Sequence, residues 1–262
     1  MKHIKLIASD LDGTLLLNGA NTVDDRTMEL IRRLTRRGVL FAAASGRQYE
    51  NMRRLFEPVK DDIAYICYNG GLCVYRDEVI FEHYIDKALA TDILSAIEAT
   101  DSCDGMASAK GAELIAPRRS DLLDHMTGYI QAEYRIVDDL TACPEPFYKV
   151  AMYNGGGDLR EGYWQERFGD RCSVVTSGNV WLDFIPSDID KGIGLNELMR
   201  HIGVTPDECA AFGDNDNDRA MLQAVGLPVV MQSAKEAMHP LGRIITPTVA
   251  DVLEQILKEY ET

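Results

Sequence analysis

The feature that most constrains the fold is an alternation of short apolar segments with helix-forming segments, present at both ends of the chain. Near the start, apolar segments at 4–9, 39–44 and 64–68 alternate with predicted helices over 25–37 and 48–56. Strands that are buried on both faces of a parallel sheet are near-continuous apolar runs, and helices connect them. The order β-α-β-α-β therefore predicts a parallel sheet with helical crossovers, which is an α/β fold.

The middle of the chain follows a different pattern. A hairpin predicted over 72–81 ends the first alternating part, and a long helix is predicted over 86–99. No element is assigned with clarity between 102 and 146. The later elements are typical of antiparallel pairing around a helix. They are a strand at 147–153, a helix at 158–168, and paired strands at 172–176 and 180–185. This part is predicted to be an α+β domain.

The alternation returns towards the C-terminus. The predicted elements are a helix over 192–202, a strand at 209–212, a helix from about 217, a strand at 227–231, and a closing helix over 249–260. The simplest division is one α/β domain formed by residues 1–82 and 186–262, with a smaller α+β domain, 83–185, inserted into it.

Charge and composition limit the possible partners. The chain has 262 residues and a formal net charge of −15, and 46% of its residues are hydrophobic, which is ordinary for a globular protein. A surface this acidic repels nucleic acid and anionic lipid, so neither is expected as a partner. Any site for an anionic substrate must be built from local positive groups. The sequence does not indicate an oligomeric state.

The cysteines and the N-terminus indicate a compartment. No pair among the six cysteines has CxxC spacing, and several lie in apolar runs, so buried free thiols are expected. The chain has no apolar run of about 18 residues, and Asp10 comes too early for a signal peptide. We expect a soluble protein in a reducing, cytoplasmic compartment.

Two carboxylates follow the first predicted strand, in the segment Asp10–Leu11–Asp12–Gly13–Thr14. Ligands of open α/β sheets bind beyond the carboxyl ends of the strands. If the backbone stays extended, both side chains point to the same side. If it turns, one carboxylate and one backbone carbonyl can hold a cation. The alternative is that both aspartates only cap a loop, which is common after strands.

Two other segments could hold an anion. Ser45 follows the second strand, and its hydroxyl, with the amides of Gly46 and Arg47, could bind a phosphate oxygen. An ordinary N-cap serine is the alternative. Lys191 opens the helix after the insertion, where the helix dipole disfavours a cation, so an anion is expected nearby. A simple exposed lysine is the alternative.

The segment GDNDND, residues 213–218, follows another apolar strand. It resembles the start of an EF-hand calcium loop, but Arg219 stands where that loop needs Gly and Val225 where it needs Glu. A calcium loop is therefore excluded. A merely solvated loop is disfavoured, because apolar residues precede the segment and Met221 and Leu222 follow it closely.

In this order, DxDGT, Ser-Gly, a lone Lys and GDxxND resemble the motifs of the haloacid dehalogenase superfamily of phosphatases. DLDGTLL and GDNDNDRAML are most similar to its sugar-phosphatase-like, Cof-type branch. The 146 residues between Ser45 and Lys191 leave room for that branch's type IIB cap. The branch more often has Thr where Ser45 stands and an apolar residue where Arg219 stands. Arg219 is left with two alternatives, pairing with the acidic loop or facing solvent.

The resemblance implies a role for each motif residue. Asp10 would be the nucleophile that forms an aspartyl phosphate, and Asp12 the general acid and base. The implied cofactor is Mg²⁺, held by Asp10, the Asp12 backbone carbonyl and Asp214, with Asp218 in support. The groups implied to hold the phosphoryl oxygens are Ser45, the amides near Leu11 and Gly46, Lys191 and Asn217.

The implied activity is a Mg²⁺-dependent phosphatase acting on a small phosphorylated metabolite, with sugar phosphates as the leading class. A phosphomutase using the same chemistry and a non-catalytic metabolite-binding or regulatory protein are the alternatives. The cap would set substrate specificity, and its polar candidates are Arg118, Arg119, Lys149 and Asp183, each of which could instead be an ordinary surface or turn residue.

Overall fold

The computed structural model describes residues 3–118, 120–130, 133–176 and 179–260. The chain forms two compact units, one of residues up to Glu82 together with those from Asp190 onward, and one of His83–Ile189. The sequence placed the return to the first unit at residue 186. A strand of the second unit continues through Pro186, which keeps the chain in that unit for a few residues more.

The strands are, in chain order, β1 (Leu6–Asp10), β2 (Leu40–Ala44), β3 (Ala64–Cys67), β4 (Leu72–Tyr75), β5 (Glu78–Glu82), β6 (Asp104–Ala109), β7 (Ala112–Ile115), β8 (Tyr134–Ile136), β9 (Lys149–Tyr153), β10 (Cys172–Thr176), β11 (Trp181–Pro186), β12 (Cys209–Gly213), β13 (Leu227–Met231) and β14 (Ile244–Thr246). The α-helices are α1 (Asp25–Thr35), α2 (Tyr49–Leu55), α3 (Lys87–Glu98), α4 (Ser120–His125), α5 (Glu161–Phe168), α6 (Lys191–Ile202), α7 (Arg219–Gln223) and α8 (Val249–Glu259). Within the described residues, none of the helices combines the length and apolar character needed to cross a membrane.

The first unit is built on one sheet with the strand order β14-β13-β12-β1-β2-β3-β4-β5. The strands from β14 to β3 are parallel, and β4 and β5 add an antiparallel hairpin at one edge. Every residue of β1, β2, β12 and β13 is buried, as expected for strands covered on both faces. The predicted α/β fold with a parallel sheet is confirmed.

Helix α1 shows how the sequence sets a crossover. The Asp24 side chain accepts a hydrogen bond from the Thr27 amide at 3.0 Å and so caps the first turn. Met28, Ile31 and Leu34 are buried on one face. The helix ends at Thr35, two residues before the predicted end, because the chain tightens into the turn that leads to β2.

The second unit contains a sheet with the order β10-β11-β9-β6-β7-β8, antiparallel except between β7 and β8. Helices α3 and α5 supply side chains to its main apolar core, including Leu94, Trp164 and Phe168, which lies with Phe184 of β11. Segment 102–146, in which no element was predicted with clarity, contributes β6, β7, α4 and β8. The insertion is therefore an α+β unit.

Candidate active site

The two acidic motifs meet at one edge of the sheet of the first unit. Strands β1 and β12 are parallel neighbours, with Ser9 paired to Phe212, so both carry the chain to the same edge. Asp10 ends β1 with a relative exposure of only 5%, and Asp214 follows β12 directly. One carboxylate oxygen from each of Asp10, Asp214 and Asp218 lies within 4.8 Å of the others. The carboxylates are thus gathered at a point where ligands of such sheets bind.

Lys191 bridges two of the three carboxylates, those of Asp10 and Asp218. It is the first residue of α6, and its side chain has no exposed surface. Its Nζ donates to Asp10 Oδ1 at 2.5 Å and to Asp218 Oδ1 at 2.6 Å. Burial opposes its charge, but the two carboxylates outweigh burial and raise the pKa of Lys191. The exposed-lysine alternative is wrong.

The carboxylates are held against their own repulsion. Burial raises the pKa of Asp10 to about 7; Lys191 works against this rise, and Asp218 adds to it. Burial also raises the pKa of Asp214, although the Thr14 hydroxyl donates to its Oδ1 at 2.9 Å. If all three carboxylates ionised, the one ammonium would leave an excess of two negative charges. A divalent cation with a preference for hard oxygen ligands, such as Mg²⁺, fits this donor set.

Asp218 also organises the loop around the cluster. Its fully buried Oδ2 accepts hydrogen bonds from the amides of Asp214 and Asn215, at 3.0 and 3.1 Å. Its other oxygen contacts Lys191, so one side chain joins the loop after β12 to the start of α6. The charged hydrogen bonds stabilise this loop conformation.

Arg219, for which the sequence left two alternatives, pairs with the acidic loop. Its Nη2 lies 3.1 Å from Asp216 Oδ1, and both side chains are exposed. The pair lies outside the buried cluster, and a surface pair of this kind contributes only about 0–1 kcal/mol.

Gly13 allows the first motif to approach Asp214. Its φ of +91° lies in the region that favours glycine, and a Cβ there would lie 2.4 Å from Asp214 Oδ2. The turn is closed by hydrogen bonds from the amides of Thr14 and Leu16 to the carbonyl of Leu11, which is itself buried. Glycine at this position is therefore needed for both conformation and space.

The side chain of Asp12 lies apart from the buried cluster. It is 58% exposed, and Arg47 holds both of its oxygens: Nε donates to Oδ2 at 2.9 Å and Nη2 to Oδ1 at 2.5 Å. From the sequence, only the backbone amide of Arg47 was predicted to take part in the site, as a donor to a phosphate oxygen. The available signal for the Arg47 side chain was its position three residues after the end of β2, the strand beside β1.

Ser45 and Asn217 flank the cluster from neighbouring loops. Ser45 is buried just after β2, and its Oγ accepts from the Arg47 amide at 3.3 Å. Helix α2 begins only at Tyr49, after Gln48, so Ser45 is not its N-cap. Asn217 Nδ2 donates to Asn69 Oδ1 at 3.3 Å.

Asn69 is a polar neighbour of these candidates that the sequence did not select. Its φ is +55°, unusual for a non-glycine residue. A Cβ on Gly46 would lie 3.0 Å from its Nδ2. Loops after β1, β2, β3 and β12 thus supply polar groups at one sheet edge.

The profile of the haloacid dehalogenase-like hydrolases matches residues 7–256. The chain belongs to this family. The match spans both units, and the resemblance seen in the four motifs is confirmed. Relatives that are named phosphatases support the same class of enzyme.

Three relatives of this haloacid dehalogenase-like hydrolase illustrate the similarity. The 5-amino-6-(5-phospho-D-ribitylamino)uracil phosphatase YbjI of Escherichia coli K12 is 26% identical, over 97% of both chains. An HMP-PP phosphatase of Enterobacter sp. 638 is 29% identical, over 88% of this chain and 85% of the relative. The solved structure of the HAD subclass IIB sugar phosphatase BT4131 is 19% identical and shares the fold, with a TM-score of 0.81 over 96% of this chain and 98% of that one.

In the inserted unit of this hydrolase, the Arg118 side chain contacts backbone carbonyls of the same unit. Its guanidinium donates to the carbonyls of Thr100 at 3.2 Å and Ile97 at 3.5 Å, and also contacts those of Glu98 and Cys103. It therefore satisfies the carbonyls of Glu98, Thr100 and Cys103, at and beyond the end of α3. The Ile97 carbonyl also accepts from the Thr100 amide.

The other candidates of the inserted unit differ in what the structure says of them. Arg119 lies outside the described residues. Lys149 and Asp183 are buried on the adjacent strands β9 and β11 and form an ion pair at 2.6 Å. They are not ordinary surface residues.

Proposed function

We propose that this hydrolase is a Mg²⁺-dependent phosphatase that hydrolyses small phosphorylated metabolites through an aspartyl phosphate on Asp10. The observation that carries the proposal is the buried cluster in which Asp10 and Asp218 share Lys191 and lie within 4.8 Å of Asp214. A nucleophilic carboxylate needs positive charge around an incoming phosphate. In this cluster Lys191 supplies one such charge beside Asp10, and the carboxylates would hold a cation that supplies more.

The metal requirement follows from electrostatics. A carboxylate and a phosphate oxygen about 4 Å apart repel by about 4 kcal/mol per pair of unit charges at an effective dielectric of about 20. Lys191 alone cannot neutralise three carboxylates and a phosphate dianion. Bound Mg²⁺ would add two positive charges, held by Asp10, Asp214 and the Asp12 carbonyl, with Asp218 in support.

Two displacements at phosphorus complete the proposed reaction. The Asp10 carboxylate attacks phosphorus, the bond to the substrate alcohol breaks, and Asp12 gives a proton to the departing oxygen. Asp12 then takes a proton from water, which attacks the same phosphorus and releases phosphate from Asp10. Lys191, Ser45, Asn217 and the amides near Leu11 and Gly46 would hold the phosphoryl oxygens.

The substrate is proposed at the level of its class. Sugar phosphates follow from the motif resemblance, and the names of the relatives add a phosphoribitylamino-uracil and HMP-PP. We propose that the inserted unit sets the choice of leaving group. We also propose a cytoplasmic location, which the six buried free cysteines support.

A panel of phosphate monoesters with Mg²⁺ tests the proposal. The wild type should release phosphate from at least one metabolite of these classes, and Asp10→Asn should abolish turnover while the circular dichroism spectrum is unchanged. Asp216→Asn is the matched control, because this exposed carboxylate lies in the acidic loop but outside the cluster. Wild-type turnover by Asp10→Asn would contradict the mechanism. No phosphate release by the wild type from any ester would favour a non-catalytic protein.

A further inference from the structure

The clearest contact that the reaction above does not use is the fork between Arg47 and Asp12. Two guanidinium nitrogens contact the two carboxylate oxygens, at 2.9 and 2.5 Å. Arg47 is itself anchored twice more. Its amide donates to Ser45 Oγ at 3.3 Å, and its Nη1 donates to Asn51 Oδ1 of helix α2 at 3.4 Å.

This contact fixes a side chain that would otherwise rotate. Asp12 is 58% exposed, and an exposed aspartate samples several staggered rotamers. A two-point contact with a planar guanidinium fixes both the position and the plane of the carboxylate, which a lysine cannot do. The hydrogen bonds of Arg47 to Ser45 and to Asn51 of α2 hold Arg47 in the loop after β2. The orientation of the Asp12 carboxylate is thereby tied to that loop, which lies beside β1, the strand of Asp10.

We propose that Arg47 is a positioning residue that orients the Asp12 carboxylate towards the leaving-group oxygen. The inference rests on the proposed function, in which Asp12 transfers the proton. Proton transfer by a side chain needs hydrogen-bond geometry at the moment of bond breaking, and a well-placed group contributes about 10²–10⁴-fold in rate. Two other roles are possible for such an arginine: direct binding of the phosphoryl group, or a purely structural surface pair.

A comparison of two substrates with different leaving groups distinguishes positioning of Asp12 from binding of the phosphoryl group. An alkyl alcohol, as in a sugar phosphate, leaves poorly without a proton, whereas p-nitrophenolate is stable as an anion. The quantity kcat/KM covers the steps up to departure of the leaving group, so it reports the proton donation. Arg47→Ala should lower kcat/KM for an alkyl phosphate by about 10–100-fold, and for p-nitrophenyl phosphate by less than about 3-fold. An arginine that binds the phosphoryl group would affect both esters equally.

A double-mutant cycle tests whether Arg47 acts through Asp12. With the alkyl phosphate, Arg47→Ala should add almost nothing to the loss caused by Asp12→Ala. Arg47→Lys, which keeps the charge but loses the fork, should behave like Arg47→Ala. Arg53→Ala is the matched control: Arg53 also forms a surface ion pair, with Asp61 at 2.6 Å, but from helix α2 and away from the cluster. It should leave the ratio of the two ester rates unchanged.

The outcomes are distinguishable. A selective loss with the alkyl ester, absent in the Asp12→Ala background, supports the inference. Equal losses with both esters, losses that multiply with Asp12→Ala, or no loss at all would overturn it while the proposed function stands. No phosphate release by the wild type would overturn both. If Arg47→Ala fails to fold by circular dichroism, Arg47→Gln is carried through the same comparisons.

Discussion

Replacing Lys191 with Met tests the charge balance of the acidic cluster most severely. The change keeps most of the chain length and removes an ammonium that has no exposed surface and contacts Asp10 and Asp218. Removing one partner of a buried ion pair costs about 3–5 kcal/mol, because the remaining charge stays buried and unpaired. The metal-free variant should lose about this much free energy of unfolding at pH 8, and Mg²⁺ should restore part of it.

The deficit should depend on pH with a definite sign. Burial already raises the pKa of Asp10 to about 7, and loss of Lys191 removes the charge that opposes this rise. A carboxyl whose pKa is raised on folding holds a proton that the unfolded chain releases, so stability falls as pH rises through that pKa. The difference between variant and wild type should therefore be smaller at pH 6 than at pH 8.

Urea denaturation in the presence of a chelator measures this effect. Far-ultraviolet circular dichroism follows both units, whereas Trp164 and Trp181 lie in the inserted unit and report on it separately. Lys60→Met is the control, since Lys60 pairs with Glu57 on the surface at 2.8 Å and should lose no more than about 1 kcal/mol. A Lys191→Met variant within about 1 kcal/mol of wild type at pH 8 would refute the charge argument.

Three further predictions concern other parts of the structure. Gly13→Ala places a methyl group against Asp214, so the Mg²⁺ concentration for half-maximal activity should rise at least about 10-fold. Gly19→Ala is the control, because no atom lies near its Cβ, and it should not change that concentration. An unchanged Mg²⁺ requirement in Gly13→Ala would contradict the predicted effect on Asp214. Arg118→Ala should lower the stability of the inserted unit by about 2–3 kcal/mol, measured as an earlier urea transition by tryptophan fluorescence, and an unmoved transition would show that its contacts to the carbonyls contribute nothing. The six cysteines should react with a disulfide reagent about 100-fold more slowly in the folded protein than in urea. The reason is that burial raises the pKa of the thiols, to about 12 for Cys73. Rapid labelling of the folded protein would be incompatible with their burial.

The central strands of the first sheet were predictable because they are buried on both faces. The segments of β1, β2, β3 and β12 are short apolar runs, and their predicted bounds lie within two residues of the structure. Strand β14 was missed, since it has only three residues and Ile245 in it is half exposed. Strand β6 was missed for another reason: DGMASA is rich in small residues and has no apolar alternation, and its burial comes from tertiary packing.

The candidate site was partly predictable. The sequence placed Asp10 and Asp214 after strands, and the parallel order of β1 and β12 brings them together. The sequence also placed Lys191 at the start of a helix, and Asp190 caps that start locally. The contact of Lys191 with two carboxylates depends on the distant loops that carry Asp10 and Asp218. The pairing of Arg47 with Asp12 depends on which strands are neighbours in the sheet. Contacts of this kind join distant loops and need the fold before they can be seen.

Trapping of the covalent intermediate tests the central claim most directly. The Asp12→Ala variant lacks the base for the second step. It should accumulate phosphorylated enzyme when it is mixed with Mg²⁺ and p-nitrophenyl phosphate, whose leaving group needs no proton from Asp12, and is quenched rapidly. Peptide mass spectrometry should then find one phosphoryl group on Asp10, and borohydride should reduce that acyl phosphate to homoserine at the same position. Phosphate release by the wild type, together with an unmodified Asp10 in the quenched variant or a phosphoryl group on another residue, would contradict the proposed nucleophile.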